Sequence, residues 1–166
     1  KEVVGALREY SETIADSVKQ GRGVVLFGPC GTGKDHMAMA VCRAAIARDI
    51  RVKWQNGMDF FGDVRDSMDD DGESERSIVG RLMSPDLLYL SDPLPPIGCL
   101  TQFQAGMLFR ILDGRYSRAR PLICTINVSC RDELDERIGT HNSERIRDRA
   151  LTLFCNWPSY RKPINS

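Results

Sequence analysis

Residues 28–35, with the sequence GPCGTGKD, constrain the fold of this chain more than any other stretch. They follow an apolar run at residues 24–27, and a helical pattern begins near Lys34, so a glycine-rich turn joins a predicted strand to a predicted helix. In this context glycines let successive amide N–H groups point at an anion, and the helix adds the positive end of its dipole. The lysine then reaches the outer phosphates. The stretch is therefore predicted to be a phosphate-binding P-loop.

Asp35 is the position at which this loop departs from the motif. A P-loop has Ser or Thr after the lysine, and the hydroxyl is a ligand of magnesium. A carboxylate a few ångströms from the phosphates costs on the order of several kcal/mol unless a cation intervenes. The alternative, a tight turn that only connects strand to helix, leaves a lysine at the positive end of a helix unexplained. The residues predicted to bind the nucleotide are Gly28, Pro29, Cys30, Gly31, Thr32, Gly33, Lys34, Asp35 and His36, the last by position only, since a histidine there more often lies on the outer face.

The composition bounds the class of protein. Its 166 residues suffice for one domain with a substantial core, and 42% hydrophobic with 28% charged residues is typical of a globular chain. Lys plus Arg and Asp plus Glu both number 23, so a strongly basic nucleic-acid binder is excluded and any such contact needs a local patch. Six cysteines without a CxxC pair and two distant histidines argue against a zinc site and favour reduced thiols in a cytoplasmic protein.

The sequence carries no sign of membrane association. No apolar stretch reaches the length of a membrane span, and no signal peptide is visible. The chain begins at Lys1 without a methionine, which fits a fragment whose N-terminal portion is missing.

Strands and helices are predicted to alternate along the chain. The predicted helices cover residues 3–18, 33–48, 58–68, 77–83, a long helix from about 103 that Pro121 stops, 131–138 and 142–149, and the predicted strands cover 24–27, 51–54, 87–92, 122–126 and 151–154. In the long helix the predicted inner face holds Phe103, Met107, Leu108, Ile111 and Leu112. Residues 69–75 are predicted to be a solvated surface loop. The alternation predicts an α/β fold with a parallel sheet covered on both faces and sites at the carboxyl ends of its strands.

Two of these strands end in polar side chains. The apolar run from Leu87 ends at Ser91 and Asp92, where an acidic residue at the end of a buried strand indicates a Walker B carboxylate. The alternative is that Asp92 only starts the turn into the prolines that follow. Asn127 ends the next strand, and its amide can position a water beside a phosphate, or it is simply a turn former or helix cap.

With these elements in this order, the chain resembles the AAA+ domain of the DnaC/DnaI helicase loaders and the related IstB transposition ATPases. The motifs that carry the resemblance are GTGKDHMA, PDLLYLSD, ILDGRYSRARPLICTIN, SERIRDRA and FCNWPSYR, and together they span nearly all of residues 1–161. The resemblance implies a three-layer P-loop NTPase fold of the AAA+/ASCE type, without a separate helical lid. It leaves residues 162–166 as a C-terminal tail, and the N-terminal segment that binds the partner in helicase loaders is absent from this sequence.

The resemblance also implies a function and roles for individual residues. Cofactors would be ATP/ADP and Mg²⁺, Asn127 would match sensor 1, and Arg149 would match an arginine finger, with Arg145 a second candidate. Such a finger acts in the ATP site of a neighbouring subunit and therefore implies a homo-oligomer. The implied partners are a replicative helicase and single-stranded DNA, and the late arginines between Arg110 and Arg120 are candidates for DNA contacts. From the sequence pattern alone, without the resemblance, Arg145 and Arg149 are better explained as part of an exposed charged helix face.

Ser91 puts the hydrolytic activity in question, because the Walker B motif normally has an aspartate at this position. The predicted catalytic residues are Asp92, Asn127, Arg149 and Arg145, and the candidate magnesium ligands are Asp35, Ser91 and Asp92. Three alternatives to a weakly hydrolysing helicase loader stay open. They are a nucleotide-binding interaction module that has lost hydrolysis, an IstB-like transposition helper, and a small-molecule P-loop kinase, which the terminal motifs disfavour.

Overall fold

A computed structural model describes residues 2–67 and 73–161, which fold around one five-stranded sheet. The strands are β1 (Gly23–Gly28), β2 (Val52–Asn56), β3 (Leu87–Ser91), β4 (Leu122–Asn127) and β5 (Ala150–Phe154). The helices are α1 (Glu2–Glu12), α2 (Ile14–Lys19), α3 (Lys34–Ile46), α4 (Gly57–Asp66), α5 (Glu75–Met83), α6 (Gln102–Tyr116), α7 (Arg131–Ile138) and α8 (Thr140–Arg147). Within these ranges no helix is long and apolar enough to cross a membrane.

The sheet has the strand order β2-β3-β4-β1-β5, and every neighbouring pair is parallel. The register aligns Gly28 with Asn127 and Ser91 with Thr125, so the ends of β1, β3 and β4 lie side by side. Carboxyl ends of parallel strands share one edge of a sheet, and ligands bind outside that edge. The P-loop and both predicted polar strand ends are therefore neighbours.

Both faces of the sheet are buried, which makes the fold a three-layer α/β sandwich, as predicted. Alternate residues of β1, Val25 and Phe27, pack with β3, β4 and helices α4 to α8 on one face. Val24 and Leu26 pack with α1 and α3 on the other face. Continuous apolar strands are the signature of such doubly covered sheets, and β1, β3 and β4 are predictable for this reason, whereas β2 and β5 mix apolar with polar residues and are only partly buried. As far as Arg161, no helix follows β5 in the described chain.

Three predictions about helices are wrong in detail. The predicted helix 3–18 is two helices, because the chain breaks at Thr13 between α1 and α2. Phe103, predicted to face inward, is 40% exposed, because the Thr101–Gln104 capping box starts α6 at Gln102 and turns the second residue outward. Arg149 lies outside α8: its φ of 56° reverses the chain, and its carbonyl accepts from the amide of Gly23 at 3.0 Å to start β5.

Two predicted segments fall outside the described residues. Most of the predicted surface loop 69–75 lies in the interval 68–72, and the predicted tail is residues 162–166. On either side of the first interval the helix boundaries are set by caps. The Asn56 side chain accepts from the amides of Met58 and Asp59 at 2.9 and 3.1 Å, and Ser74 caps α5 in the same way.

Candidate nucleotide site

The P-loop runs from Gly28, the last residue of β1, to Lys34, the first residue of α3. At two positions of the loop, glycine is required both because another segment leaves no room for a Cβ and because φ is positive. Gly28 has φ +148°, and a Cβ there would collide with the carbonyl oxygen of Cys155; Gly31 has φ +79°, and a Cβ there would collide with Ser159 Oγ. The loop is thus shaped to fit a later segment of the chain.

That later segment, residues 155–161, lies directly on the P-loop. The amide of Cys155 donates to the carbonyl of Phe27 at 2.8 Å, and the Trp157 indole N–H donates to the carbonyl of Thr32 at 3.0 Å. The amide of Tyr160 donates to the carbonyl of Gly31 at 2.9 Å. In the sequence, this segment is one of the motifs that carry the family resemblance, FCNWPSYR, and no local pattern predicts that it lies at the site.

A cavity of about 310 Å³ opens beside the loop at the carboxyl edge of the sheet. Its walls are Gly31, Gly33, Lys34, Asp35, His36, Asn127, Tyr160 and Arg161. The structure therefore brings the P-loop and Asn127 to one cavity, as predicted from the strand ends. Tyr160, which is 73% exposed, and Arg161 are wall residues that the sequence did not indicate. His36 lies on the wall of this cavity and is exposed.

Lys34 is buried, and its ammonium donates hydrogen bonds to backbone carbonyls of the P-loop. Its Nζ lies 2.9 Å from the carbonyl oxygen of Gly28 and 2.7 Å from that of Pro29. Burial lowers the pKa of this ammonium, because water no longer solvates the charge. An anion at the loop would satisfy the ammonium better than two neutral carbonyls do. The lysine is placed for phosphate binding.

Asp35 is held against the sheet by three hydroxyl groups. Its Oδ1 accepts from Tyr89 at 2.6 Å, from Thr125 at 2.7 Å and from Ser91 at 3.2 Å. Burial raises the pKa of this carboxyl, but the three hydrogen bonds outweigh that effect and the net pKa is below its usual value. The side chain is therefore an anion. Tyr89 and Thr125 were not predicted to take part, although each is a polar residue within an apolar strand.

At positions 35 and 91, the carboxylate and the hydroxyl of a usual P-loop site have exchanged places. A P-loop site normally has a hydroxyl after the lysine and a carboxylate at the end of the Walker B strand. Here the carboxylate follows the lysine and the hydroxyl ends β3, and the two side chains are hydrogen-bonded. The site keeps one carboxylate and one hydroxyl at this place, with their sources reversed.

Asp92 and Asn127 form a second polar pair at the same edge. The Asn127 amide N–H donates to Asp92 Oδ1 at 3.3 Å, and the Asn127 side-chain amide donates to Asp92 Oδ2. Asp92 has φ 45°, a strained conformation for a residue other than glycine, of the kind that clusters at functional sites. Burial raises the pKa of Asp92, and the bonds from Asn127 oppose that shift. A carboxyl with a raised pKa beside an oriented amide is suited to proton transfer.

Arg145 and Arg149 do not reach this cavity. Both guanidiniums lie over the ring of Tyr116, at 4.2 and 4.8 Å from its centroid, and Arg145 also pairs with Asp113 at 3.0 Å. Arg149 precedes β5 and so lies at the amino edge of the sheet, on the wall of a larger cavity of about 440 Å³. The six residues of β1 separate that edge from the P-loop by about 20 Å. Neither arginine completes the site of its own chain.

The arginines near the end of α6 are engaged within the chain. Arg115 is fully buried, Arg110 pairs with Glu75, Arg118 donates to the carbonyl of Gly114 in α6, and Arg120 donates to the carbonyl of Met83 at the end of α5. The prediction that this cluster contacts DNA is wrong for Arg115, because none of its surface is accessible.

Comparison with known proteins identifies the group to which the site belongs. The model of the family described as IstB-like ATP binding protein matches residues 11–157. The chain belongs to this family. The matched range includes the P-loop and the residues of the Asp35–Ser91 contact and of the Asp92–Asn127 pair.

Individual relatives agree with this assignment. The replicative helicase loader DnaC of Escherichia coli (strain K12) is 28% identical over 160 residues, which are 95% of this chain and 62% of that protein. A crystal structure of the DnaC helicase loader has a TM-score of 0.78 at 21% identity and covers 90% of this chain and 85% of that one. A crystal structure of DnaI has a TM-score of 0.74 at 20% identity, covering 95% and 84%. The fold is thus that of an AAA+ P-loop domain, and the resemblance to helicase loaders is confirmed.

Proposed function

We propose that this chain binds and slowly hydrolyses ATP, and that its nucleotide state switches contacts with a replicative helicase and with single-stranded DNA. The observation that carries the proposal is the assembly of Lys34, Asp35 and Asn127 around one cavity at the end of a P-loop strand, with Asp92 hydrogen-bonded to Asn127. The chain spans 62% of the length of the E. coli helicase loader, so the partners of that protein are part of the proposal here.

Binding begins with an exchange of acceptors at Lys34. Triphosphate oxygens replace the carbonyls of Gly28 and Pro29 at its ammonium, and amide N–H groups of the loop and the start of α3 hold the same phosphates. Magnesium arrives with ATP as part of the substrate and neutralises phosphate charge. Asp35 and the neighbouring Ser91 would hold that ion, directly or through its water shell. The donor set fits a hard cation that prefers oxygen ligands.

Asp92 and Asn127 then act on water. The amide of Asn127 both donates and accepts, so it can orient a water molecule toward the terminal phosphate while Asp92 takes the proton. The raised pKa of Asp92 favours this transfer near neutral pH, because the carboxylate is then a stronger base. Their mutual hydrogen bonds fix both groups before ATP binds.

Arg149, with Arg145 beside it, completes the site of a neighbouring copy. About 20 Å of sheet separates these guanidiniums from the P-loop of their own chain, whereas a head-to-tail contact presents them to the next chain. Positive charge at the terminal phosphate stabilises the transition state of phosphoryl transfer. Hydrolysis by this account needs an oligomer.

A second candidate is an interaction module that binds ATP without hydrolysing it. Ser91 favours it, because the strand that normally supplies the magnesium aspartate ends here in a hydroxyl. An IstB-like role as a transposition helper uses the same site and differs in partner only.

The test compares nucleotide binding with phosphate release in the wild type and in Lys34→Ala. For the proposed function we expect wild-type turnover that Lys34→Ala abolishes, together with loss of binding. Binding without lysine-dependent phosphate release would favour the module, and absence of binding by the wild type would refute both.

A further inference from the structure

Arg137, on α7, connects the functional strand ends to a loop of the molecule that has no assigned role. Its Nη1 donates to the carbonyl of Asn127 at 3.3 Å. Its Nε donates to the carbonyl of Gly98 at 2.8 Å, and its Nη2 donates to the carbonyl of Pro95. The side chain is only 14% exposed, so water does not compete freely for these bonds. One guanidinium thus bridges the segments that follow β3 and β4.

The loop in question begins at Asp92 and ends where α6 starts. Its backbone is also fixed from the other side, because the amide of Leu100 donates to the carbonyl of Arg137 at 3.0 Å. Arg137 itself is oriented by Glu133, which accepts from Nη1 at 3.1 Å and from the amide of Ser129 at 2.6 Å. At the tip of the loop Ile97 is 91% exposed.

The bonds of Arg137 and the bonds of the Asp92–Asn127 pair form one continuous network. Asp92 leads into the loop that Arg137 holds, and Asn127 has its side chain on Asp92 and its carbonyl on Arg137. Displacing the guanidinium frees the backbone on both sides of the pair. A pair in hydrogen-bond contact at a strained backbone position depends on such support.

We propose that Arg137 is a positioning residue that holds the Asp92–Asn127 pair in the geometry that distinguishes ATP from ADP. This inference rests on the proposed function, since it requires that Asn127 face the terminal phosphate. Arg137 acts through Asn127 and contacts no substrate. If Arg137 only stabilised the fold, its loss would weaken the binding of ATP and of ADP equally. As a positioning residue, Arg137 affects the binding of ATP, the nucleotide that carries the third phosphate.

The experiment measures affinity for a non-hydrolysable ATP analogue and for ADP, both with magnesium, in four proteins. These are the wild type, Arg137→Ala, Asn127→Ala and the double variant. We expect Arg137→Ala to lower the ratio of analogue affinity to ADP affinity about tenfold, the scale of one lost hydrogen bond, with ADP affinity retained. In the Asn127→Ala background the same change should have less than about a twofold effect, because the residue through which it acts is gone.

Arg131→Ala is the matched control. Arg131 is an exposed arginine on the same helix, and within residues 2–67 and 73–161 it has no recorded hydrogen bond or ion pair, so the ratio should equal that of the wild type. Glu133→Gln loosens Arg137 without removing it and should shift the ratio in the same direction by a smaller factor. It keeps the test decisive if Arg137→Ala does not fold.

The outcomes separate this inference from the proposed function. A wild type that binds neither nucleotide contradicts the proposed function and removes the inference with it. A wild type that binds both, with an unchanged ratio in Arg137→Ala or in Glu133→Gln, overturns the inference alone. Independent, additive effects of Asn127→Ala and Arg137→Ala would also overturn it.

Discussion

At the scale of single residues, the Asp35–Ser91 contact decides how this site can hold a metal-bound nucleotide. Three hydroxyls on Oδ1 keep the Asp35 carboxylate charged and fix its direction. The electrostatics of the site depend on having one carboxylate there, and less on which strand or helix supplies it. Moving the carboxylate from position 35 to position 91 tests this dependence.

Asp35→Thr removes the carboxylate and should cost about tenfold in magnesium-dependent affinity for an ATP analogue. Ser91→Asp alone places two carboxylates in contact and should weaken analogue binding most strongly without metal, since like charges repel. The double variant Asp35→Thr, Ser91→Asp restores one of each group and should recover most of the wild-type affinity. Additive losses in a titration of the double variant would show that the two positions do not exchange roles.

Asp92 predicts a pH dependence of turnover. Its folded pKa is raised by burial, so on acidification it gains a proton at a higher pH than an ordinary aspartate. Asp35 has a lowered pKa and keeps its charge to lower pH. Phosphate release should therefore fall on mild acidification while magnesium-dependent binding persists. A single-turnover pH profile beside binding at each pH checks this, and parallel loss of both would contradict it.

At the scale of elements, α6 is joined to the turns beneath the sheet by a buried arginine. Arg115 donates to the carbonyls of Leu82 and Pro121, both at 2.7 Å, and of Pro85 at 3.1 Å. Burial lowers its pKa to about 9, which still leaves it charged at neutral pH. With no carboxylate among these partners, the two terminal nitrogens of the guanidinium donate to backbone carbonyls, which they tie together near the amino ends of β3 and β4, while Nε has no hydrogen-bond partner among the described residues.

Arg115→Ala should destabilise the fold by about 3 kcal/mol, because it leaves several buried carbonyls without donors. Arg118→Ala is the control: this arginine just after α6 is exposed, its side chain donates only to the carbonyl of Gly114 among the described residues, and its loss should change stability by less than about 0.5 kcal/mol. Urea unfolding of the two variants measures the difference. Equal midpoints would mean that the buried network contributes nothing.

The elements also show what the sequence can and cannot predict. The central strands β1, β3 and β4, the P-loop and the neighbouring positions of Ser91, Asp92 and Asn127 follow from apolar runs and from the rule that parallel strands end at one edge. Contacts between distant segments do not follow. Nothing near Tyr89 predicts its bond to Asp35, and nothing in residues 155–161 predicts their place on the P-loop, because both depend on packing.

At the scale of the whole molecule, the P-loop and the predicted arginine finger, Arg149, lie at opposite edges of the sheet. This separation predicts complementation between two inactive variants. Arg149→Ala should lower turnover by a factor on the order of 10³, and Lys34→Ala should abolish it. In a mixture, Lys34→Ala chains supply Arg149 to the intact P-loops of Arg149→Ala chains, so phosphate release should recover.

The matched control mixes Arg149→Ala with the double variant Lys34→Ala, Arg149→Ala, which has no finger to supply and should restore nothing. Recovery in that control, or none with Lys34→Ala, would argue against a site shared between chains. Full turnover by Arg149→Ala alone would show that the residue takes no part.

The most direct test of the central claim is a calorimetric titration of the wild type with a non-hydrolysable ATP analogue, with magnesium and with the metal chelated. The claim is that this chain binds ATP at its P-loop and that the Asp35 carboxylate binds the magnesium ion, directly or through its water shell. It predicts strong magnesium dependence, because without the cation Asp35 repels the phosphates. Equal binding with and without magnesium would contradict the role of Asp35, and no binding under either condition would contradict the nucleotide site itself.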